Sequence, residues 1–396
     1  MTTTIQSIPR PDNQSLTHPL FTAEHDALRQ SLRRFVEKEL RPHSSEWEKT
    51  FWPRSVMERM GELGFLGLDK PVEYGGQGGD YATSLVLFEE LSRALSGGLL
   101  MSVSVQTDMA LPPILAFGTE EQKSVYARGA IEGTTLLSLA MTEPDAGSDL
   151  ARTTTRARRE GAGWVLDGCK TYITNGTRSD AIVVLARTDV TAGHDGFTTF
   201  IVPGDTPGLI RSKPFEKLGM HASDTATLTF ENVHLPDSAV LGTVGQGFRQ
   251  IMWELQGERL TTALMAVAMA ERGLELTVDW VKTRQAFGGS LARLQAIQHR
   301  LAECETKLIV ARSSVYSAAW QHQNGGYPVR EISAAKYYGA KAAMEILDDC
   351  VQLLGGAGFM RESRVEQLYR DARLFRIGAG TDEIQLEIIA KSMGLR

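Results

Sequence analysis

Residues 163–186 read GWVLDGCKTYITNGTRSDAIVVLA, and their pattern decides the fold of the middle of the chain. Runs rich in β-branched, aromatic and aliphatic residues alternate here with the turn-forming dipeptides Asp167-Gly168 and Asn175-Gly176. Five such runs lie at 163–166, 170–174, 181–186, 198–202 and 225–230. Short strands at this spacing predict a small antiparallel barrel or sandwich and not βαβ units.

Helical patterns lie on both sides of this β-rich region. Upstream, Leu28, Leu32 and Phe35 recur at helical intervals, and downstream a 3.6-residue period extends from Gly247 to the end. We therefore predict an α+β chain that is mainly α. It has an N-terminal helical domain, a central antiparallel β-barrel or sandwich, and a C-terminal four-helix bundle. The predicted boundaries are a disordered leader at 1–20 and domains at 21–137, 138–245 and 246–396.

Composition excludes several classes of function. The 396 residues carry a net charge of −6 without a basic stripe, so nucleic acid is not expected as a partner. We find no apolar run that reaches the ~20 residues of a membrane span, and no signal peptide. Three scattered cysteines fit a reducing cytoplasm. No HExxH or paired ligand spacing indicates a metal, so none is expected.

Six segments in order along the chain carry a resemblance to a known family. They are 64–79 (GFLGLDKPVEYGGQGG), 141–149 (MTEPDAGSD), 170–176 (KTYITNG), 284–288 (RQAFG), 352–359 (QLLGGAGF), and Arg370-Asp371 followed by Gly380-Thr381. The chain resembles the acyl-CoA dehydrogenases from about Thr22 onward. Tyr172 replaces the tryptophan that is usual in this family.

The resemblance implies a bound FAD. It places the loop containing Thr142 and Ser148 at the flavin ring and pyrophosphate, and Tyr172 over a flavin face. Arg284 is expected to pair with the FAD pyrophosphate, and Gln352 and the Gly355-Gly356 pair are expected to meet the adenosine half of an FAD held by a neighbouring subunit. These contacts imply a homo-oligomer, a tetramer first and a dimer second. The full set of predicted cofactor contacts is Met141, Thr142, Gly147, Ser148, Tyr172, Thr174, Arg284, Phe287, Gln295, Gln352, Gly355, Gly356, Thr381 and Glu383.

Each motif also has a purely structural interpretation. The loop with Thr142 could be a capped turn, and Tyr172 could pack inside the barrel. Arg284 could be a solvated surface residue, and the glycines after Gln352 a helix C-cap.

The catalytic base is the most informative departure from the family pattern. Many members carry a glutamate just before the final Gly-Thr, where this chain has Ala379. The isovaleryl and long-chain branches place the base on an earlier helix, in a Glu-Arg pair, which here is Glu258-Arg259. Glu258 also continues an apolar stripe with Leu255, and a carboxylate there costs several kcal/mol unless it is paired or functional. An ion pair, with Arg259 or internal to the fold, is the alternative interpretation.

The implied reaction is α,β-dehydrogenation of an acyl thioester, acyl-CoA to trans-2-enoyl-CoA. Glu258 is expected to remove the α-proton, and flavin N5 to accept the β-hydride. The predicted substrate contacts are Ser148, Leu255, Arg259, Gly378 and Ala379. An electron-transfer flavoprotein is the expected acceptor. The alternatives are a carrier-protein-bound thioester as substrate, a flavin oxidase or monooxygenase of the same fold, and a catalytically silent flavin- or thioester-binding protein.

Overall fold

The N-terminal domain is helical. The computed structural model describes residues 18–395, so most of the predicted leader, 1–20, lies outside the described residues, and Leu20 at its end is buried. The helices are α1 (Ala23–Phe35, extended by a π-turn at Val36–Leu40), α2 (Ser44–Thr50), α3 (Ser55–Glu62), α4 (Tyr81–Leu91), α5 (Gly97–Phe117) and α6 (120–131). Helix α6 begins at Glu120, where the Thr119 hydroxyl accepts the Gln122 N–H at 3.2 Å and caps the first turn.

Helix α5 is the most apolar element of this domain. Its mean hydropathy over an 18-residue window is 1.3, so by length and composition alone it could cross a membrane. We predicted no such run from the sequence. However, 83% of that window is buried inside the fold, and burial in a protein core accounts for an all-apolar helix equally well.

The middle domain is one eight-stranded sheet. Its strands are β1 (Leu137–Ala140), β2 (Arg156–Glu160), β3 (Gly163–Thr174), β4 (Ala181–Arg187), β5 (Phe197–Pro203), β6 (Leu209–Arg211), β7 (Thr225–Pro236) and β8 (Val240–Leu241). The order is β6-β7-β3-β2-β4-β5-β8, with β1 also paired to β4. The predicted β module is therefore confirmed, as a sheet that does not close into a barrel. Its pairs are antiparallel except that β1 and β2 both run parallel to β4.

The sequence pattern predicted the longer strands and missed the others. The runs at 163–166 and 170–174 form the single strand β3, because Gly168 adopts φ 152° at a register shift that lets the strand pass the turn signal. Strand β2 was not predicted because it is mostly exposed and reads RARRE. Strands β6 and β8 have only three and two residues, too short for alternation to be visible.

The C-terminal domain is built on one long central helix. Its helices are α7 (Gly247–Thr283), α8 (Gln295–Gln323), α9 (Val329–Leu354), α10 (Arg364–Ala372) and α11 (Asp382–Ser392), with a small hairpin at Gln285–Ala286 and Gly289–Ser290. The middle of α7, from Glu258 to Ala270, is buried along its whole length. This helix shares one hydrophobic core with the N-terminal helices, while the sheet has a core of its own.

Asp371, at the end of α10, ties the three domains together. Its carboxylate accepts the backbone N–H of Gly97 at 3.1 Å and also the N–H of Met220. Gly97 begins α5 and Met220 lies in the loop before β7, so a single buried side chain joins the N-terminal, middle and C-terminal domains. This contact gives the predicted Arg370-Asp371 motif a structural role.

Candidate active site

A cavity of about 1230 Å³ lies where the middle sheet, α7 and the loop before α11 meet. Twelve of the predicted site residues line it, and they come from all of these elements. They are Met141, Thr142, Gly147, Ser148, Tyr172, Thr174, Leu255, Glu258, Arg259, Gly378, Ala379 and Thr381. Its volume exceeds the ~300–1,000 Å³ of ordinary small-molecule pockets, so it has room for a large cofactor together with a substrate.

A buried ion pair holds the loop 141–149 against the sheet. Lys170 on β3 donates to the Met141 carbonyl at 2.9 Å and to Glu143 Oε1 at 2.9 Å. Thr154 and Thr155 donate to the same carboxylate. Burial alone would raise the pKa of Glu143, but the charge of Lys170 and these hydrogen bonds lower it to about 2. The ion pair thus fixes the loop against the sheet, and Thr142 and Ser148 of this loop line the cavity.

Tyr172 projects into the cavity because the strand that carries it is irregular. The pairing of β3 with β7 shifts register between Lys170 and Ile173, and Tyr172 there adopts a left-handed φ of 61°. Its side chain remains 68% exposed. The structure therefore contradicts the alternative in which Tyr172 packs inside the sheet.

Glu258 is a buried carboxyl on the cavity side of α7. Its exposed fraction is 7%, and its Oε2 atom accepts no hydrogen bond from any donor within residues 18–395. Burial raises the pKa of Glu258, while the charge of Arg259, a hydrogen bond with Glu254 and the charge of Lys336 oppose that rise. A desolvated carboxylate with a raised pKa is suited to accept a proton from a weak carbon acid.

The loop before α11 places Ala379 on the same cavity in a strained backbone conformation. Its φ is 56°, and the carbonyls of Ala379 and Gly380 both accept from the Gln385 side chain, at 3.0 and 3.1 Å. Lys336 also donates to the Gly380 carbonyl, at 2.5 Å. No acceptor in the described part of the chain takes the Ala379 N–H. This donor is therefore available to a bound ligand.

The remaining predicted contacts do not line the cavity of a single chain. Arg284 precedes the small hairpin, and Phe287 at the hairpin tip is 94% exposed. All seven residues of this group have exposed side chains or backbone: Arg284, Phe287, Gln295, Gln352, Gly355, Gly356 and Glu383. The structure leaves them accessible to another molecule and does not bring them together with Glu258.

Several residues that shape the site were not predicted from the sequence. Lys170 and Glu143 lie within the segments that resemble the family, but neither was predicted to be part of the site. No local sequence pattern marks Lys336 or Gln385 as site residues. Glu254 could have been found, because it stands four residues before Glu258 and shares its side of the helix.

The chain matches known proteins over nearly its whole length. Residues 22–134, 138–233 and 245–394 match the N-terminal, middle and C-terminal domains of acyl-CoA dehydrogenases. A 3-(aryl)acrylate reductase of Clostridium sporogenes is 38% identical over 94% of this chain and 99% of its own. The mouse mitochondrial long-chain specific acyl-CoA dehydrogenase is 39% identical over 94% and 87%.

A solved structure shows the same architecture. The crystal structure of an acyl-CoA dehydrogenase from Geobacillus kaustophilus has a TM-score of 0.92 and 40% identity, over 94% of this chain and 98% of that one. Matches of this extent to all three domains go beyond a shared fold. The chain belongs to the acyl-CoA dehydrogenase family of flavoprotein oxidoreductases.

Proposed function

We propose that this enzyme oxidises the Cα–Cβ bond of an acyl thioester, acyl-CoA to trans-2-enoyl-CoA, with Glu258 as the base and FAD as the cofactor. One observation carries the proposal: a buried carboxylate and an unpartnered backbone N–H line the same cavity, at Glu258 and Ala379. The reaction needs both, because removing an α-proton builds negative charge on the thioester oxygen.

The residues of the cavity fit a flavin. A Cβ on Gly147 would have no neighbour within 4 Å, so the backbone beside Ser148 is open to close approach by a ligand. Tyr172, on β3, has an exposed aromatic side chain that lines the same cavity. We propose that Met141, Thr142, Gly147, Ser148, Tyr172, Thr174 and Thr381 hold FAD from one subunit. When bound, the flavin supplies a two-electron acceptor for the hydrogen that leaves Cβ.

Glu258 and Ala379 have different roles in the proposed reaction. Glu258 takes the α-proton on its carboxylate, within an environment from which the substrate excludes water. The Ala379 N–H donates to the thioester oxygen as charge develops there. Leu255, Arg259, Gly378 and Ser148 line the adjoining surface and would position the acyl thioester. This arrangement supports a place in the branch that carries its base on the earlier helix, as in isovaleryl- and long-chain acyl-CoA dehydrogenases.

The exposed predicted contacts support a site shared between subunits. Arg284, Phe287, Gln352, Gly355 and Gly356 lie away from the cavity of their own chain, and Cβ atoms on the two glycines would meet nothing within 4 Å. We propose that they, with Gln295 and Glu383, contact FAD in a neighbouring subunit of a homotetramer. An electron-transfer flavoprotein in the cytoplasm is the proposed electron acceptor.

A second candidate is the reverse reaction. The Clostridium sporogenes relative is named as a 3-(aryl)acrylate reductase, and it aligns over 94% of this chain. The same two groups would serve reduction of an activated enoyl compound. Glu258, protonated at the start, would give its proton to Cα, and a reduced flavin, when bound, would supply the hydride for Cβ.

Anaerobic bleaching of the bound flavin by a panel of acyl thioesters tests the proposal. The panel should contain straight-chain, branched and aryl CoA esters and one carrier-protein thioester. We expect at least one saturated thioester to bleach the flavin. Bleaching by a reductant and reoxidation only by enoyl substrates would support the reductase, and no response to any thioester would contradict both proposals.

A further inference from the structure

Glu254 places a second carboxyl beside the proposed base. It precedes Glu258 by one helical turn on α7, so the two side chains are neighbours on the helix surface. The cavity is lined on this helix by Phe248, Met252, Leu255, Glu258, Arg259 and Thr262. In a helix with about 100° per residue these side chains occupy one side, with Glu258 at its edge. Glu254 lies about 40° beyond Glu258, on the side that packs against protein. It is only 2% exposed.

Within the described residues, the Glu254 carboxyl has no hydrogen-bond donor other than the carboxyl of Glu258. Both of its oxygens are buried and accept nothing from any N–H or hydroxyl of residues 18–395, and Glu258 Oε2 is in the same condition. Two ionised carboxylates one turn apart would repel each other strongly where both are buried. A single proton held between the two carboxyls relieves the repulsion and supplies the missing donor.

The surroundings decide which carboxyl keeps the proton. Glu258 is adjacent to two cations, Arg259 on α7 and Lys336 on α9, which favour its ionised form. Glu254 is buried more deeply, and from α5 it faces Asp108, whose negative charge disfavours a second one. The pKa of Glu254 is raised well above its ordinary value by burial, then by the charge of Glu258 and by the hydrogen bond with it.

The other titratable groups around the pair do not change this assignment. Asp108 accepts hydrogen bonds from Thr107 and Thr261, and burial raises its pKa to about 6 although Lys70 opposes the shift. Tyr327, in the turn between α8 and α9, raises the pKa of Arg259 and is not a cause of the shift at either glutamate. The charge of Arg259 lowers the pKa of both carboxyls, and the charge of Lys336 lowers the pKa of Glu258.

We propose that Glu254 is a positioning residue, a neutral carboxylic acid whose O–H donates to Glu258 and keeps that carboxylate ionised and directed into the cavity. The inference rests on the proposed role of Glu258 as the base. It adds a second group to the site, one that acts only through the first and does not touch the substrate.

Two substitutions separate this role from simple packing. Glu254→Gln keeps an N–H donor of similar shape, whereas Glu254→Met keeps the unbranched length and removes the donor. Both are measured as the pH dependence of anaerobic flavin reduction by a saturating thioester. We expect Glu254→Met to move the acid midpoint of the rate upward by about 1 pH unit, the scale of one lost hydrogen bond to a carboxylate. Glu254→Gln should retain most of the rate, with its midpoint within about 0.3 unit of the parent.

Each outcome has a definite meaning. If Glu254→Met lowers the rate equally at every pH, or leaves or lowers the midpoint, the neutral-donor role is wrong. A downward shift would mean that Glu254 carries a charge. Flavin content and melting temperature of both variants show whether the fold and cofactor site are intact.

Infrared spectroscopy of the purified protein at neutral pH shows which of the two carboxyls carries the proton, without a measurement of catalysis. The carbonyl stretch of a protonated, buried carboxyl should survive in Glu258→Gln and disappear in Glu254→Met. The reverse pattern would place the proton on Glu258 and overturn the inference. If no thioester reduces the flavin while the infrared result holds, the proposed function fails and the paired carboxyls stand.

Discussion

The Nζ atom of Lys336 donates a hydrogen bond of 2.5 Å to the carbonyl oxygen of Gly380. Lys336 is fully buried on α9, and Gly380 follows Ala379 in the loop that closes the cavity. Burial lowers the pKa of Lys336 to about 8, although Asp382 and Glu258 oppose the shift. A buried cation thus contacts the backbone at the proposed oxyanion position and lies in the field of the proposed base.

Lys336→Met should weaken catalysis without removing the cofactor. The loop at Ala379 loses one of its two anchors, and Glu258 loses a nearby positive charge, so its pKa rises. We expect anaerobic flavin reduction to fall by about 10-fold at pH 7.5, less than the ~10²–10³ for loss of a direct oxyanion donor. Lys336→Gln, which retains a donor, should lose less. Lys282→Met, at an exposed position on α7, is the control, and a matching loss there would contradict the explanation.

The cofactor prediction is chemical. If Arg284 contacts a pyrophosphate and the Gly355-Gly356 pair contacts an adenosine half, the tightly bound flavin is FAD and not FMN. Heat denaturation of the purified yellow protein followed by chromatography identifies the released flavin. FMN in the supernatant, or failure of the apoprotein to take up FAD, would remove the basis for those contacts.

The shared-site prediction links assembly to cofactor content. Arg284→Ala should release FAD even though the residue lies away from the cavity of its own chain, because a guanidinium contact with a phosphate is lost. Light scattering should show a tetramer that carries one FAD per chain. Arg158→Ala removes another exposed arginine, on β2, and should keep full occupancy. A fully flavinated, active monomer would contradict the shared site.

The sequence allowed the domain order to be predicted because each domain has a distinct hydrophobic period over many residues. Twelve of the residues predicted to contact ligands line one cavity in the structure, because motifs such as 141–149 and 170–176 could be recognised from the sequence. Their supports could not be predicted: Lys170 and Glu143 pair across 27 positions, and Lys336 and Gly380 across 44. A contact between residues that are far apart in the sequence produces no periodic pattern of residue types from which it could be predicted. Short strands such as β8 are specified by their neighbours and not by their own residues.

The pH dependence of the reaction follows from Glu258. Its pKa is raised above 4.5, chiefly by burial, and only the ionised form can accept a proton. The rate of flavin reduction should therefore fall as the pH drops through that raised pKa, while FAD remains bound. Burial also favours the protonated form in the fold, so this group stabilises the protein below pH 4.5 and that contribution is lost as the pH rises through the folded pKa. A rate that does not fall before the pH reaches 4.5 would show that no such carboxyl is involved.

Replacing the base is the most direct test of the proposed chemistry. Glu258→Gln keeps the shape and burial of the side chain, so FAD and thioester binding should be retained. Anaerobic flavin reduction should nevertheless fall by at least ~10²-fold, the lower scale for loss of a positioned general base. The variant should melt at the same or a higher temperature at pH 7.5, because it no longer ionises a buried carboxyl. Together these results would separate lost chemistry from lost structure.

Moving the carboxylate tests whether the two base positions serve one reacting carbon. Ala379 lines the same cavity as Glu258 and stands where many relatives carry their glutamate. Adding Ala379→Glu to Glu258→Gln should restore part of the rate if the new side chain reaches the α-carbon. The left-handed φ of 56° and the 8% exposure of Ala379 oppose a larger residue, so the expected recovery is about 10-fold at most. The single variant remains decisive, since near-normal flavin reduction in Glu258→Gln would show that another group removes the proton.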